Sequence, residues 1–281
     1  MKQLFTIILL ALLHSPATAQ KRVCTTADSI RIETILQRSI NGSTSTAGER
    51  VIAIAEEFIG EKYVGGTLEQ ASGEPLYISC EKLDCTTFVE LVLAIAMSAD
   101  EGGDFTNVCN NLETIRYRNG KNNGYTSRLH YISWWITDSA KIGIVEDVTS
   151  QTSKKRQFLH LNFMSTHPSS YPILSENPGL VDEIIQQEIP YRGIEVCYIP
   201  KEDVGYTEYE NIKPGDIVAI TTSIPGLDVT HIGFAHYHNG TLCLIHASSG
   251  KGKVIKDITP LRDYLANNRR HTGIRVFRPV F

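Results

Sequence analysis

The chain has 281 residues, enough for one large domain or two small ones, and 42% of them are hydrophobic, enough for a sizeable core. Its formal net charge is −4, with acids and bases interspersed rather than blocked. That balance argues against nucleic acid or an anionic membrane as the main ligand.

The first element is Met1–Ala19, which reads as a secretory signal. Lys2 gives the positive start, Leu4 to Leu13 the apolar run, Pro16 the break, and Ala17-Thr18-Ala19 the small-residue cleavage pattern. The run is too short to span a bilayer, and no later stretch approaches the ~20 apolar residues of a spanning helix. Val23 precedes Cys24 where a lipoprotein signal would place Gly or Ala, so lipidation is set aside. The expectation is an exported, periplasmic protein without an integral membrane segment after signal cleavage. Six cysteines remain: Cys24, Cys80, Cys85, Cys109, Cys197 and Cys243. Export permits disulfides among them, but the spacing is irregular, the chain is too large to need stapling and the pairing stays open; without a CxxC pair a structural zinc knuckle is not expected.

Val51 to Ile59 has apolar residues at helical spacing and stops at Gly60. A Gly-rich turn, Tyr63-Val64-Gly65-Gly66, leads into a polar loop that runs to Asp84. Thr86 to Met97 is apolar almost all round, which predicts a helix inside the domain. From about 99 to 200 the pattern loosens, with strand-like pieces at His130–Ile136 and Phe158–Phe163 and a short helix at Val181–Glu188. This stretch reads as an elaborated insertion within a single domain covering 20–281.

The last third is β-rich. Ile217 to Thr221 follows the Pro214-Gly215-Asp216 turn, and Thr230–His238 and Thr241–Ala247 flank Asn239-Gly240, a strong hairpin signal. Arg275 to Arg278 is expected to close the sheet. A buried helix followed by an antiparallel sheet predicts an α+β fold.

The hairpin decides which histidines meet. With a two-residue turn, His238 pairs with Thr241 and Gly233 lies opposite His246. Alternation then puts His231, Gly233, Ala235 and Tyr237 on one face with Leu242, Leu244, His246 and Ser248. His231 and His246 become diagonal neighbours, while His236 and His238 fall on the other face or at the turn. Asp84 is a good N-cap, which sets Cys85 in the first turn of the buried helix, where the helix terminus favours a thiolate. Cys85, His231 and His246 thus suit the roles of nucleophile, base and orienting group. The residues alone leave a plainer reading open, a packing cysteine and structural strand histidines. A zinc amidase would need three converging ligands among His231, His236, His238 and His246, and the predicted faces split them, so no metal or other cofactor is expected.

Five pieces in order, Gly60–Gly66 (GEKYVGG), Asp84-Cys85-Thr86-Thr87-Phe88, Pro214-Gly215-Asp216, His231-Ile232-Gly233 and His246-Ala247-Ser248, resemble the NlpC-type papain-like cell-wall peptidases. Thr86-Thr87 stands where that family has Ser-Gly, and the interval from cysteine to histidine is stretched. With Arg116-Tyr117-Arg118, Arg128-Leu129-His130-Tyr131 and Trp134-Trp135, the chain is similar to the NlpC-like N-acetylmuramoyl-L-alanine amidases, first catalogued as a domain of unknown function.

The resemblance implies an NlpC-type fold and cleavage between the lactyl group of N-acetylmuramic acid and the L-alanine of a muropeptide. It implies that Cys85 attacks the amide, that His231 serves as acid and base with His246 behind it, and that a thioester forms. The Cys85 N–H and the Tyr63 hydroxyl would hold the oxyanion. Ordinary NlpC-type enzymes use the residues beside the cysteine, here Asp84 and Thr86, to hold a free amine that an amidase substrate lacks at that point. Arg128 and His130 are candidates for reading substrate carboxylates, or equally an ordinary polar pair. Trp and Tyr faces in the insertion suit the sugar ring. The alternatives are an endopeptidase cutting after D-glutamate and a non-catalytic muropeptide-binding module.

Overall fold

The helix Cys85–Asp100 is the hub of the structure, and every residue from Thr87 to Ala99 is buried. A helix that is apolar almost all round must be covered on every side. Here Thr26–Ile40, Ala47–Glu56 and Phe105–Arg116 pack around it, and the strands Val229–His238 and Thr241–Ser248 close the remaining side. Phe88 meets Phe58 edge-on at 6.3 Å and Phe234 at 5.7 Å, which ties the helical layer to the sheet. This computed structural model describes residues 21–42, 46–69, 73–206 and 209–281, so the signal-like segment Met1–Ala19 lies outside the described residues.

Across the main sheet the strands run Lys82–Leu83, Lys62–Tyr63, Lys253–Lys256, Thr241–Ser248, Val229–His238, Ile217–Thr222, His271–Pro279 and Val145–Asp147. Ile199–Pro200 also pairs with His271–Pro279. Among the described residues only the edge pair Lys62–Tyr63 and Lys82–Leu83 is parallel within this sheet, and its register sets Tyr63 beside Leu83, two residues before Cys85. One face of the sheet carries the core around the buried helix. The other face buries Val218, Ile220, Ala235, Leu242 and Leu244 beneath Leu261 and Leu265 of the short helix Leu261–Ala266. Mixed α+β architecture, the buried helix and the three central strands agree with the sequence reading.

Several expectations for the insertion are corrected. His130–Ile136 is not a strand: a helix spans Ile132–Lys141, with Ile132 to Ile136 all buried. Five consecutive buried positions show neither the strand nor the helix period, so the pattern could not separate the two. Phe158–Phe163 forms a strand only over Arg156–His160, paired with Arg192–Cys197 in a separate ribbon, and Phe163 begins a helical turn. The short helix expected at Val181–Glu188 is present and starts earlier, at Pro178. Arg275–Arg278 does not close the sheet, because Val145–Asp147 from the insertion adds beyond it.

Glu90, inside the hub helix, pairs with Arg116 at 2.7 Å, and their side chains are 3% and 2% exposed. Arg116 also donates to the Tyr77 carbonyl at 2.7 Å, fastening the loop before Cys85. Removing one member of such a pair strands a buried charge. Arg116→Met should therefore lower unfolding stability by about 3–5 kcal/mol, and the double change with Glu90→Gln should recover part of it. Urea unfolding midpoints of the three proteins check this.

Candidate functional site

Asn239 (φ 51°) and Gly240 (φ 74°) form the tight turn, and His238 pairs with Thr241 as counting back from it predicts. The register runs to Phe234 opposite Ile245, which brings Gly233 against His246. A Cβ on Gly233 would lie 2.8 Å from the His246 Cβ and 2.9 Å from the Ile245 oxygen. Glycine there lets the two imidazoles close up. His231 Nε2 sits 2.5 Å from His246 Nδ1, with the rings nearly perpendicular at 80°. His236 points to the opposite face, where its Nε2 donates to the Asp257 carbonyl at 2.7 Å, and His238 is exposed at the turn.

Asp257 is a member of this cluster that the sequence reading missed. One carboxylate oxygen lies 3.7 Å from His246 Nε2, a nitrogen that is buried with no hydrogen-bond partner. The Thr259 N–H fixes the other oxygen at 2.9 Å. A carboxylate favours a proton on the nitrogen facing it, so His246 carries hydrogen on Nε2 and accepts at Nδ1. His231 must then donate through Nε2, which leaves its Nδ1 as a lone pair. Burial, first of all causes, lowers His231 to about 3 and His246 to about 4, so both rings are neutral above mildly acidic pH. Asp257 reaches the site through a strand register that the sequence pattern does not state. Lys253–Lys256 pairs with the His246 strand, Ile255 opposite His246, so a residue two further along returns to the same face.

Cys85 opens the hub helix behind a reciprocal cap: Asp84 Oδ1 accepts from Thr86 N at 3.1 Å and Thr87 N at 2.8 Å, and Asp84 N donates to Thr87 Oγ1 at 2.9 Å. With Phe88 N bonded to the Asp84 carbonyl, the Cys85 N–H is the donor of that turn left facing its own thiol. The helix terminus is not the largest influence on this thiol. Burial, then the Asp84 carboxylate, pushes the thiol up to about 11, against smaller help from the Ile232 backbone and the Thr86 hydroxyl. The thiol therefore rests protonated, beside the residue that follows His231.

Two tyrosines flank it. Burial, followed by Cys85 and Asp84, raises Tyr63 to about 12, which keeps its hydroxyl a donor. Tyr264, also missed from sequence, stacks between His231 at 6.0 Å and His271 at 5.9 Å and meets His246 edge-on at 5.4 Å.

Two cavities adjoin this centre, one at His231 and one at Asp84 and Thr86, the neighbours of Cys85. The larger, about 490 Å³, is lined by His231, Asp257 and Tyr264 together with the Ser248–Lys251 turn and Asn267, Asn268 and His271. The smaller, about 180 Å³, collects Asp84, Thr86, Arg128 and His130, four of the five expected substrate contacts, with Glu69, Glu90 and Tyr171. Arg128 is already engaged by Glu69 at 2.5 Å and Glu74 at 3.3 Å, and it lies over the Tyr125 ring. His130 Nε2 donates to the Tyr125 carbonyl at 2.9 Å, and burial holds this ring well below its ordinary pKa. Trp134 and Trp135 are core residues and line neither cavity; Tyr264 and Tyr171 supply the aromatic faces instead.

Residues 53–274 match the family described as AmiA-like, N-acetylmuramoyl-L-alanine amidase-like. The chain belongs to that family. Among solved structures, this AmiA-like chain is similar to an N-acetylmuramoyl-L-alanine amidase from Bacteroides uniformis, with 40% identity, a TM-score of 0.81, and coverage of 84% of this chain and 100% of that one. It is similar also to a putative xylanase from Bacteroides fragilis, with 44% identity, a TM-score of 0.78, and coverage of 81% and 99%. A Legionella pneumophila protein, 22% identical with a TM-score of 0.66 over 90% of this chain and 94% of its own, shares the fold. No curated protein matches the chain.

Two predictions follow from the paired imidazoles of this AmiA-like chain. Gly233→Ala forces a Cβ onto backbone and should cost about 1–3 kcal/mol in stability while displacing His246, read by thermal melting and by activity. The pH dependence has a definite sign. Both rings are held below their ordinary 6.5, so the unfolded chain binds protons that the folded chain refuses. Stability is full above pH 6.5 and falls as pH drops towards 4, by about 1.4 kcal/mol per pH unit for each ring. Urea midpoints at about pH 7.5 and about pH 5 should differ less in His246→Gln than in the unaltered chain.

Proposed function

We propose that this chain is an exported cysteine amidase of NlpC-type papain-like fold that hydrolyses the N-acetylmuramoyl-L-alanine bond of muropeptides. The observation that carries the mechanism is the hydrogen bond from His231 Nε2 to His246 Nδ1, beside a capped helix that begins with Cys85. The amidase-like family supports the bond cleaved. The signal-like segment Met1–Ala19 supports export to the periplasm.

The reaction starts from a neutral pair. His231 Nδ1 takes the Cys85 proton as the sulfur attacks the lactyl carbonyl, and the oxyanion is held by the Cys85 N–H and the Tyr63 hydroxyl. The imidazolium passes that proton to the departing L-alanine nitrogen, the C–N bond breaks, and a thioester remains. Water, deprotonated by His231, then attacks the thioester and returns the thiol and a free lactyl carboxylic acid. A positive charge on His231 is unfavourable in so buried a site. His246, with Asp257 behind it, offsets that cost while the charge lasts. Glycoside hydrolysis needs a pair of carboxylates flanking the bond. Here the centre holds a thiol and imidazoles, with Asp84 committed to its cap and Asp257 to the far side of His246.

Incubation with N-acetylmuramoyl-tripeptide and with the free tripeptide, followed by mass spectrometry, tests the reading. Intact tripeptide should leave the first substrate, with no change in the second. Cleavage of the free tripeptide after D-glutamate would make the chain an endopeptidase, and binding without turnover would make it a binding module. Cys85→Ala should abolish turnover without unfolding the chain. His246→Ala should lower kcat by roughly ten- to ten-thousand-fold, Asp257→Asn by less, and His236→Ala least of the three.

A further inference from the structure

The amidase reaction leaves open which half of the substrate enters which cavity. We infer that the cavity of about 490 Å³ beside His231 is the subsite of the departing peptide, and that Lys251 at its rim binds a carboxylate of that peptide. This rests on the amidase reading and adds a direction to it.

The direction comes from proton transfer. A general acid must stand within hydrogen-bond reach of the atom it protonates. The acid is His231, and the atom is the leaving nitrogen. The amine half of the substrate therefore departs on the His231 side. His231 lines the larger cavity and not the smaller, whereas Asp84 and Thr86, the neighbours of Cys85, line the smaller and not the larger. With the carbonyl oxygen drawn to the Cys85 N–H, the acyl half bearing the sugar extends over Asp84 and Thr86. The two halves diverge from the thiol into separate cavities.

The charge pattern agrees. Arg128, in the smaller cavity, is compensated by Glu69 and Glu74, so no spare cation remains there for a carboxylate. An uncharged sugar with hydroxyl and acetamido groups suits such a wall. The larger cavity is lined by hydroxyls and amides, including Ser248, Ser249, Asn267 and Asn268, which can serve peptide N–H and C=O groups in either sense. Lys251 is the lysine on its wall, and it enters no ion pair among the described residues. Asp257, the acid in this wall, is turned to His246 and the Thr259 N–H. A peptide carrying free carboxylates meets one uncommitted cation there.

The test uses two substrates, N-acetylmuramoyl-L-alanyl-D-glutamic acid and its bis-amide, with the unaltered enzyme, Lys251→Met and Lys251→Arg. Lys251→Met should raise KM for the acid about ten-fold with kcat nearly unchanged, and should leave KM for the bis-amide where it was. Lys251→Arg should keep most of the affinity for the acid. Calorimetry of L-alanyl-D-glutamic acid binding to Cys85→Ala protein reads the subsite without turnover, and adding Lys251→Met should weaken that binding by a similar factor. An unchanged KM for the acid in Lys251→Met, or an equal rise for acid and bis-amide, overturns the assignment while leaving the amidase reading intact. Failure of the unaltered enzyme to cleave either substrate overturns the amidase reading itself. In that case the peptide calorimetry still decides whether the cavity takes an anionic peptide.

Discussion

A hydrogen bond between two buried imidazoles is demanding, because only one of the facing nitrogens can carry the proton. In this structure the choice is made from behind. Asp257 stands at the outer nitrogen of His246, that ring turns its lone pair inward, and His231 answers with its hydrogen. The rest of the centre depends on this order. It leaves a lone pair on Nδ1 of His231, and it does so between two neutral rings. The chain keeps the pair close by omitting a side chain at Gly233 and by packing Tyr264 across both rings.

The second constraint is the burial of the Cys85 helix. A helix terminus next to a cation would hold a thiolate at rest. Here burial and the capping carboxylate of Asp84 outweigh the terminus, and the thiol stays protonated. The same cap that raises the thiol's pKa also orders this turn, since it uses the N–H groups of Thr86 and Thr87 and leaves that of Cys85 facing the thiol. In the proposed reaction, a protonated thiol and a neutral base would place the burden on proton transfer during attack, so the polarity of the imidazole pair matters.

How much of this was legible in the sequence follows from how local each feature is. The hub helix, its Asp84 cap and the Asn239-Gly240 hairpin are set by neighbouring residues, and the histidine faces follow from strand alternation alone. Asp257 and Tyr264 reach the site through pairing and packing of later segments, and short-range patterns do not record such pairing. The Ile132–Lys141 helix was misread because a segment buried on all sides loses its period. The resting state of Cys85 was not legible for a related reason. Sequence shows a helix start and its cap, but the solvent removed from around a thiol is a property of the assembled core.

The position of the strand His271–Pro279 has a consequence for how the fold assembles. His271–Pro279 lies inside the sheet, between Ile217–Thr222 and the edge strand Val145–Asp147, and Ile199–Pro200 also depends on it. Domains condense from the amino terminus as synthesis proceeds, and pairings distant in sequence come late. The helices around Cys85 are close together in the chain and can assemble early. The sheet cannot close until His271–Pro279 has docked, so a chain in which this strand is still unpaired holds its thiol in a scaffold with an open seam.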